Sequence, residues 1–385
     1  MHLRRDDGRS PQRGPAPRAG SPRRPCQVGR PVPPLDDEPA SRRRCPIQTP
    51  LIRQGRIGEF ELIRCLRRAT AIPHGVQASV LAGIGDDAAI LKPRPGRVIL
   101  ATTDLLAERV HFDLAFTSYR QLGYKAAMAN LSDIAAMGGV PRFLLIALAL
   151  TSRETSRDVE AMYEGIRAAC NPAGVAVVGG DMSASRTDLF LAVMVLGDAA
   201  RRGALRRSGA RAGDRLYVTG TLGDAQAGLE LLQARKRTNS YLITRHLMPT
   251  ARLKEAQHLA DGRLASAAID VSDGLAGDIR HICEESGVGC LIDARKLPLS
   301  PQLRTHARAR KRDPIAYALS GGEDYELLFT VPPAKVARVE ALIRRRLLRA
   351  TPIGLITPRR QGLRLIGIDG SVRPLTAKGY EHRLG

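Results

Sequence analysis

Six short acidic motifs punctuate this chain, and they limit what it can fold into. They are Gly85-Asp86-Asp87, Thr102-Thr103-Asp104, Asn130-Leu131-Ser132-Asp133, Gly179-Gly180-Asp181, Asp270-Val271-Ser272-Asp273-Gly274 and Ser320-Gly321-Gly322-Glu323-Asp324. Each is read at the end of an apolar strand or in a helix, beside Gly, Ser or Thr. One such motif is ordinary, because Gly-Asp and Asp-Gly form turns and Ser-Asp caps helices. Six of them in an otherwise basic protein need another reason. Carboxylates gathered at strand ends repel one another and lose hydration when buried, so the arrangement is tolerable where hard cations bridge them. Oxygen-only ligands fit magnesium.

The segments between the motifs alternate in period between helix and strand. Phe60, Leu62, Ile63 and Leu66 predict a short amphipathic helix, and strands follow around 80–84 and 98–103. Ser118 is read as the N-cap of a long helix that stops at Gly138-Gly139. An apolar strand over 142–150, a helix over 156–171 and strands over 175–178 and 189–196 complete a first domain, set at 56–198. The segment 197–213 reads as a connector. A second domain, set at 206–385, is expected to hold strands at 215–219 and near Ile269, Leu291, Leu327 and Leu363. Its helices are expected over 224–233, 275–285 and 336–347. Residues 1–55 carry 12 Arg, 5 acidic residues and 11 of the 25 prolines with almost no apolar periodicity. They are read as a disordered basic extension.

The net charge of +22 suggests nucleic acid, but its distribution argues against that. A charge of +7 falls in residues 1–55 and the remainder is spread thinly, mostly as Arg. With no Trp and 4% aromatic residues there is no evident platform for stacking bases. The longest apolar run, Phe143 to Leu150, is too short to span a bilayer, and the N-terminus lacks the apolar stretch of a secretory signal. The six cysteines show no C-x-x-C spacing, which fits reduced thiols in the cytoplasm. No P-loop, Rossmann or protein-kinase signature is present.

Charge magnitudes favour polyphosphate chemistry. Two phosphate groups of charge −2 about 5 Å apart repel by about 13 kcal/mol at an effective dielectric of 20. Transfer between them requires cations to neutralise most of that repulsion, and aspartate-held magnesium ions do so while orienting donor and acceptor. Gly-rich turns add backbone N–H groups for phosphate oxygens.

In chain order, Gly-Glu-Phe, Gly-Ile-Gly-Asp-Asp-Ala, Thr-Thr-Asp, Glu-Arg-Val-His-Phe, Asn-Leu-Ser-Asp-Ile-Ala-Ala-Met-Gly, Gly-Gly-Asp, Val-Thr-Gly-Thr-Leu-Gly, Asp-Val-Ser-Asp-Gly-Leu and Leu-Ser-Gly-Gly-Glu-Asp-Tyr-Glu-Leu recur as a set. The set resembles the thiamine-monophosphate kinase family over residues 58 to about 383. The resemblance implies an α/β (α+β) fold of two domains, shared with aminoimidazole ribonucleotide synthetase. In that fold the N-terminal sheet joins a partner's in a homodimer and the C-terminal α/β domain packs beside it. It implies a kinase that uses ATP and several magnesium ions to convert thiamine monophosphate to thiamine diphosphate by direct in-line transfer, the last step of thiamine diphosphate biosynthesis.

Carried over position by position, the resemblance implies that Asp87, Thr102, Thr103, Asp104, Asp133, Asp181, Asp270 and Asp273 bind magnesium. It implies ATP contacts from Tyr163, Gly180, Asp181, Arg207 and Ser272, and thiamine-side contacts from His111, Glu323 and Tyr380. Taken from the residues alone, Tyr163 fits the core of its helix equally well, and Arg207 has Arg206 beside it as an alternative. Asp86 and Asp324 also suit plain turn formation. The neighbouring activities of the superfamily, selenophosphate synthetase and hydrogenase-maturation dehydratase, want a reactive Cys in an N-terminal Gly-rich loop or at the C-terminus, and this sequence has neither.

Overall fold

The structure, a computed structural model, describes residues 59–380 apart from 86, 237–239 and 378. The expected extension over 1–55 and the turn reading of Asp86 lie outside the described residues. The first half runs α1 (Glu59–Ala69), α2 (His74–Gln77), β1 (Val80–Ala82), β2 (Ile90–Leu91), β3 (Arg97–Ala107), α3 (Tyr119–Ala136), β4 (Val140–Leu150), α4 (Ser156–Cys170), β5 (Ala176–Ala184) and β6 (Phe190–Ala200). The second half begins with β7 (Arg215–Thr219), α5 (Asp224–Gln233), α6 (Ser240–Leu247), α7 (Leu253–Asp261), β8 (Ala267–Val271), α8 (Leu275–Ser286) and β9 (Val288–Asp293). It continues through α9 (Pro301–Ala309), α10 (Pro314–Ser320), β10 (Glu326–Val331), α11 (Val336–Arg344), β11 (Ala350–Pro358), β12 (Leu363–Ile366) and β13 (Val372–Pro374).

In the first half the sheet order is β3-β6-β4-β5, antiparallel except for the β4–β5 pair. Helices α3 and α4 cover one face, where Leu122, Leu131, Ile134, Leu144, Ile146, Met162, Ile166 and Val193 form the core. Alternation along β3 turns Leu100, Thr102, Asp104 and Leu106 inward and Ile99, Ala101, Thr103 and Leu105 outward. The outward face stays open: Ile99 is 66% exposed, Leu105 57% and Met194 42%.

The second half is built on a seven-stranded sheet, β13-β12-β9-β11-β7-β10-β8, with β12–β9 its parallel pair. Strand β10 is buried at every position and β7 at all but its first, because helices cover both faces. One layer packs Ile269, Ile279, Ile282, Leu328 and Ile356. The other layer stacks Tyr217 on Phe329, centroids 5.5 Å apart, and also takes Ala135 and Ala136 from α3.

Helix α3 thus belongs to both halves, which share one unit covering 49–385. Its apolar residues are not gathered on one face and it is buried on every side, polar Asn130 and Ser132 included, the pattern of an enclosed helix. The predicted cap is present: Ser118 Oγ accepts the Gln121 N–H and the Gln121 side-chain Oε1 accepts the Ser118 N–H at 3.0 Å.

Several strands run further than their apolar cores suggest. Strand β5 continues through Gly179-Gly180-Asp181 to Ala184, because its ladder with β4 overrides the turn preference of that tripeptide. Strand β6 reaches Ala200, so the connector starts later than 197. In consequence Asp104, Asp181 and Asp270 lie within strands, not at their ends. Helices α2, α6, α7, α9 and α10 and strands β2, β11 and β13 were not anticipated. Two of these carried a readable start, since Ser300-Pro301 and Asp313-Pro314 each place a capping side chain before a proline at the first helical position.

Candidate active site

The acidic motifs of the two halves meet where α3 lies against β3 and β8. Thr102 on β3 donates its hydroxyl to Asp133 Oδ2 at 2.5 Å, and the preceding helix residue, Ser132, donates to Asp270 Oδ2 at 2.7 Å. Two consecutive residues of one helix therefore tie the first-half sheet to the second. Beyond β8 the chain turns through Gly274 at a φ of 100°, and the Asp273 N–H donates to Asp278 Oδ2 at 3.3 Å. That bond folds the motif back over the first turn of α8.

These carboxylates hold their protons unusually well. Burial, then the charge of Asp133, pushes Asp104 up to about 6. Burial also raises Asp133, against the Thr102 hydroxyl and the Arg207 charge. Asp270 goes up to about 7 through burial and Asp133, and Asp278 up to about 8 through burial, Asp270 and Asp273. The Arg207 guanidinium opposes the shifts at Asp133, Asp270 and Asp278 without cancelling them. Such a cluster attracts cations.

A second group lies beside the first. The loop between α10 and β10 is laid along the Asp270–Asp273 segment by the Glu323 N–H donating to Ser272 O (2.7 Å) and the Tyr325 N–H to Val271 O (2.8 Å). Glu323 and Tyr325 take left-handed φ values of 65° and 52°, a backbone state that non-glycine residues adopt at a cost. Glu323 Oε1 is 2.7 Å from Lys125 Nζ and Oε2 is 3.2 Å from His246 Nδ1. Burial pushes the Glu323 carboxyl up, but Lys125, His246 and His111 together hold it below the ordinary carboxylate range. His111 is oriented at the end of β3, where its Nδ1 accepts the Ala107 N–H at 3.0 Å. Tyr325 bridges the two groups: burial, Glu323, Asp104, Asp270 and Asp133 together raise its hydroxyl well above the usual value. Tyr380 arrives from the C-terminal segment, its N–H donating to Asp273 O at 2.9 Å and its ring more than half exposed.

The remaining expected residues fall elsewhere. Thr103 faces away from α3, and its hydroxyl donates to Val193 O at 3.1 Å. Asp87 and Asp181 are exposed, one in the turn before β2 and the other on β5 opposite Ala147. The hydrogen bonds that gather Thr102, Asp133 and Asp270 do not reach those two among the described residues. Gly180 stands where an added Cβ would sit 2.0 Å from Ile146 O, so the backbone there can only be glycine. Tyr163 is 5% exposed in the core under the first sheet, the place its helical periodicity also allows, and burial takes its hydroxyl up to about 12.

Of the two adjacent arginines, Arg207 is the one whose charge reaches the carboxylates, while Arg206 O accepts the Ala268 N–H. Asp324 is fully buried and accepts the N–H groups of Gly223 and Ala225 at 2.5 and 3.2 Å, so it serves a turn at the start of α5. Sequence reasoning missed Lys125, His246, Asp278 and Tyr325. A signal existed for Lys125, a cationic residue beside Tyr124, Ala126 and Ala127 in the middle of the helix.

The donors around Asp133 and Asp270 are hard oxygens, the chemistry magnesium takes. Among the described residues no three His, Cys, Asp or Glu side chains converge as a closed metal cage would. Magnesium uses one or two carboxylates and fills its shell with water and substrate phosphate, so the residues fit an ion that arrives with a polyphosphate.

Residues 85–199 match the AIR synthase related protein, N-terminal domain, and residues 211–366 the C-terminal domain of the same group. Thiamine-monophosphate kinase of Salmonella typhimurium is 39% identical over 331 residues, 84% of this chain and 98% of its own. The crystal structure of thiamine-monophosphate kinase from Stenotrophomonas maltophilia is 36% identical with a TM-score of 0.71, covering 82% of this chain and 98% of that one. AaThiL complexed with AMPPCP and TMP is 37% identical with a TM-score of 0.66, covering 85% and 97%. The fold is accordingly the two-domain synthetase-like α/β architecture expected from the motifs. Matched over nearly the whole length of these relatives, the chain belongs to the thiamine-monophosphate kinase family.

Proposed function

We propose that this chain transfers the γ-phosphoryl group of ATP to the phosphate of thiamine monophosphate and so carries out the last step of thiamine diphosphate biosynthesis. The observation that carries this reading is the meeting of two unlike groups across the halves. The Asp104–Asp133–Asp270–Asp278 cluster with Arg207 suits the polyphosphate end. The ionised Glu323 beside His111 suits the cationic thiamine end, with Tyr380 closing from the C-terminal segment.

Asp104, Asp133, Asp270 and Asp273, with Thr102, are the residues we assign to holding magnesium, and Asp87 and Asp181 join them on the strength of the motif match. Thr103 joins through its main chain, its hydroxyl being committed to Val193. Bound there, magnesium supplies charge neutralisation between donor and acceptor phosphates. The acceptor oxygen is already ionised near neutral pH, so the protein needs no strong general base. Arg207 stabilises charge on the transferring group, Ser272 and the Gly180 backbone approach ATP, and no covalent phosphoenzyme forms. Tyr163, buried beneath the first sheet, is assigned to the ATP side with them on the strength of the motif match.

The working form we propose is a homodimer in the cytoplasm, where ATP is available. The open apolar face carrying Ile99, Leu105 and Met194 supports the dimer, since an exposed apolar surface of this kind marks an interface. No helix among the described residues is long and apolar enough to cross a membrane.

The test is to incubate the protein with ATP, thiamine monophosphate and magnesium and to separate the products by chromatography. Thiamine diphosphate and ADP should form in equal amounts, and chelation of magnesium should stop both. A folded protein that forms no thiamine diphosphate at any magnesium concentration would overturn the proposal.

A further inference from the structure

Lys125 and His246 form a buried pair behind Glu323 that no motif singled out. Lys125 is 3% exposed and His246 5%, whereas Glu323 in front of them is 31% exposed. Lys125 Nζ lies 2.7 Å from Glu323 Oε1 and 3.5 Å from His246 Nε2. An ammonium group only donates, so His246 Nε2 must present its lone pair and the ring proton must sit on Nδ1. Nδ1 is the atom that faces Glu323 Oε2, at 3.2 Å. It has no well-aligned hydrogen bond there, so the ring stands close to, but not locked onto, the carboxylate. Burial and the Lys125 charge bring His246 down to about 4, which leaves it neutral near pH 7.

The three side chains come from three separate elements: α3, α6 and the loop before β10. A buried lysine is costly unless paired, and here its charge is compensated by one carboxylate that still reaches solvent. Each Glu323 oxygen has one nitrogen on its buried side, which leaves its outward lone pairs for a ligand. Glu323 is also held at a left-handed φ of 65°, a conformation that persists only when its surroundings fix it.

We propose that Lys125 and His246 are positioning residues, Lys125 pairing with the Glu323 carboxylate and the neutral His246 ring backing its second oxygen so that the carboxylate is aimed outward, and that they so set affinity for the positively charged, amino-bearing rings of thiamine monophosphate. The inference rests on the proposed function and names what determines its thiamine-side selectivity. It places Lys125 and His246 behind the carboxylate, out of contact with the reacting phosphates.

The experiment compares steady-state kinetics of wild type, Lys125→Met, Glu323→Gln and the double variant. Lys125→Met should raise KM for thiamine monophosphate about tenfold, the scale of one lost charge-assisted hydrogen bond. KM for ATP should stay within about twofold, and any fall in kcat should be smaller than the rise in KM. Because Lys125 acts through Glu323, adding Lys125→Met to Glu323→Gln should change KM by less than about twofold. Equal rises in both KM values, or an undiminished Lys125 effect in the Glu323→Gln background, would overturn the inference. Should Lys125→Met fail to fold by thermal melting, His246→Gln takes its place. A rise in KM confined to thiamine monophosphate then supports the inference, and an unchanged KM overturns it. Failure of the wild type to make thiamine diphosphate would instead bring down the proposed function, and this inference with it.

Discussion

Replacing Asp278 by Asn removes the carboxylate that keeps its proton most firmly in the acidic cluster while preserving its shape. The Asn oxygen can still accept the Asp273 N–H that Asp278 Oδ2 accepts at 3.3 Å. In the unfolded chain this aspartate ionises near its ordinary 3.8, and in the folded protein near 8, through burial first and the charges of Asp270 and Asp273 second. Between those values the native state holds a proton that the unfolded state has lost. Stability therefore falls as pH rises through this window, by about 1.4 kcal/mol per pH unit for the one group. From pH 5 to pH 7 the loss is about 3 kcal/mol. Asn does not titrate, so Asp278→Asn should lack this part of the slope.

The assay is urea denaturation of both proteins at pH 5 and pH 7 in the presence of a chelator. The difference in ΔG between the two pH values should be smaller in the variant by about 3 kcal/mol. Magnesium competes with protons for the cluster, so adding it should flatten the slope of both proteins, because the variant keeps Asp104, Asp133 and Asp270. Equal slopes in the two proteins, within about 1 kcal/mol, would show that Asp278 ionises normally and that the cluster is wetter than its geometry implies.

Three further substitutions probe other parts of the site. Asp133→Asn keeps the shape of the residue bonded to Thr102 but removes a charge, so kcat should fall roughly 10²–10³-fold and recover in part as magnesium is raised in a kinetic titration. Arg207→Ala should lower kcat/KM for ATP by at least about tenfold while Arg206→Ala changes it by less than about threefold, because only the first side chain's charge reaches the carboxylates. Asp324→Ala leaves the Gly223 and Ala225 N–H groups without their buried acceptor and should cost about 2 kcal/mol in a denaturation experiment, with KM for thiamine monophosphate unchanged.

How much of this was legible before the structure depends on the range of the interaction. Helix α3 was readable because its signals are local: Ser118 caps, Gln121 answers three residues on, and Gly138-Gly139 stops it. Asp104, Asp133, Asp270 and Glu323 could be found because each sits in a motif of distinctive composition. The extent of β5 could not be read, since Gly179-Gly180-Asp181 resembles a turn until β4 is paired beside it. The Lys125–Glu323 pair joins residues almost two hundred positions apart, and no spacing along the chain encodes it. Asp278 looked like any acidic residue in a helix's first turn, where the helix dipole favours it. Its altered proton affinity arises from burial first and from Asp270 and Asp273 second, once β8 and α8 pack together.

The position of α3 explains why one helix carries so many of the site's groups. Lys125 and Asp133 are eight residues apart, about 12 Å along a helix axis. Lys125 pairs with Glu323 at the proposed thiamine side, while Asp133 joins Thr102 at the proposed phosphate side. Ser132 adds the bond to Asp270 in the second half. A single rigid element thus fixes the separation between the groups we assign to the organic rings and those we assign to the phosphates. Loops could not hold that distance as well, because their hydrogen bonds are local and their backbones bend. The cost is a lysine, a serine and an aspartate on a helix enclosed by two cores, the first two offset by partners from the second half and the third by Thr102 on β3. Any sliding of the second half past α3 would strain Ser132–Asp270 and Lys125–Glu323 together, while Thr102–Asp133 anchors the helix to β3, so the packing that builds the core also keeps the two proposed ends of the site in register.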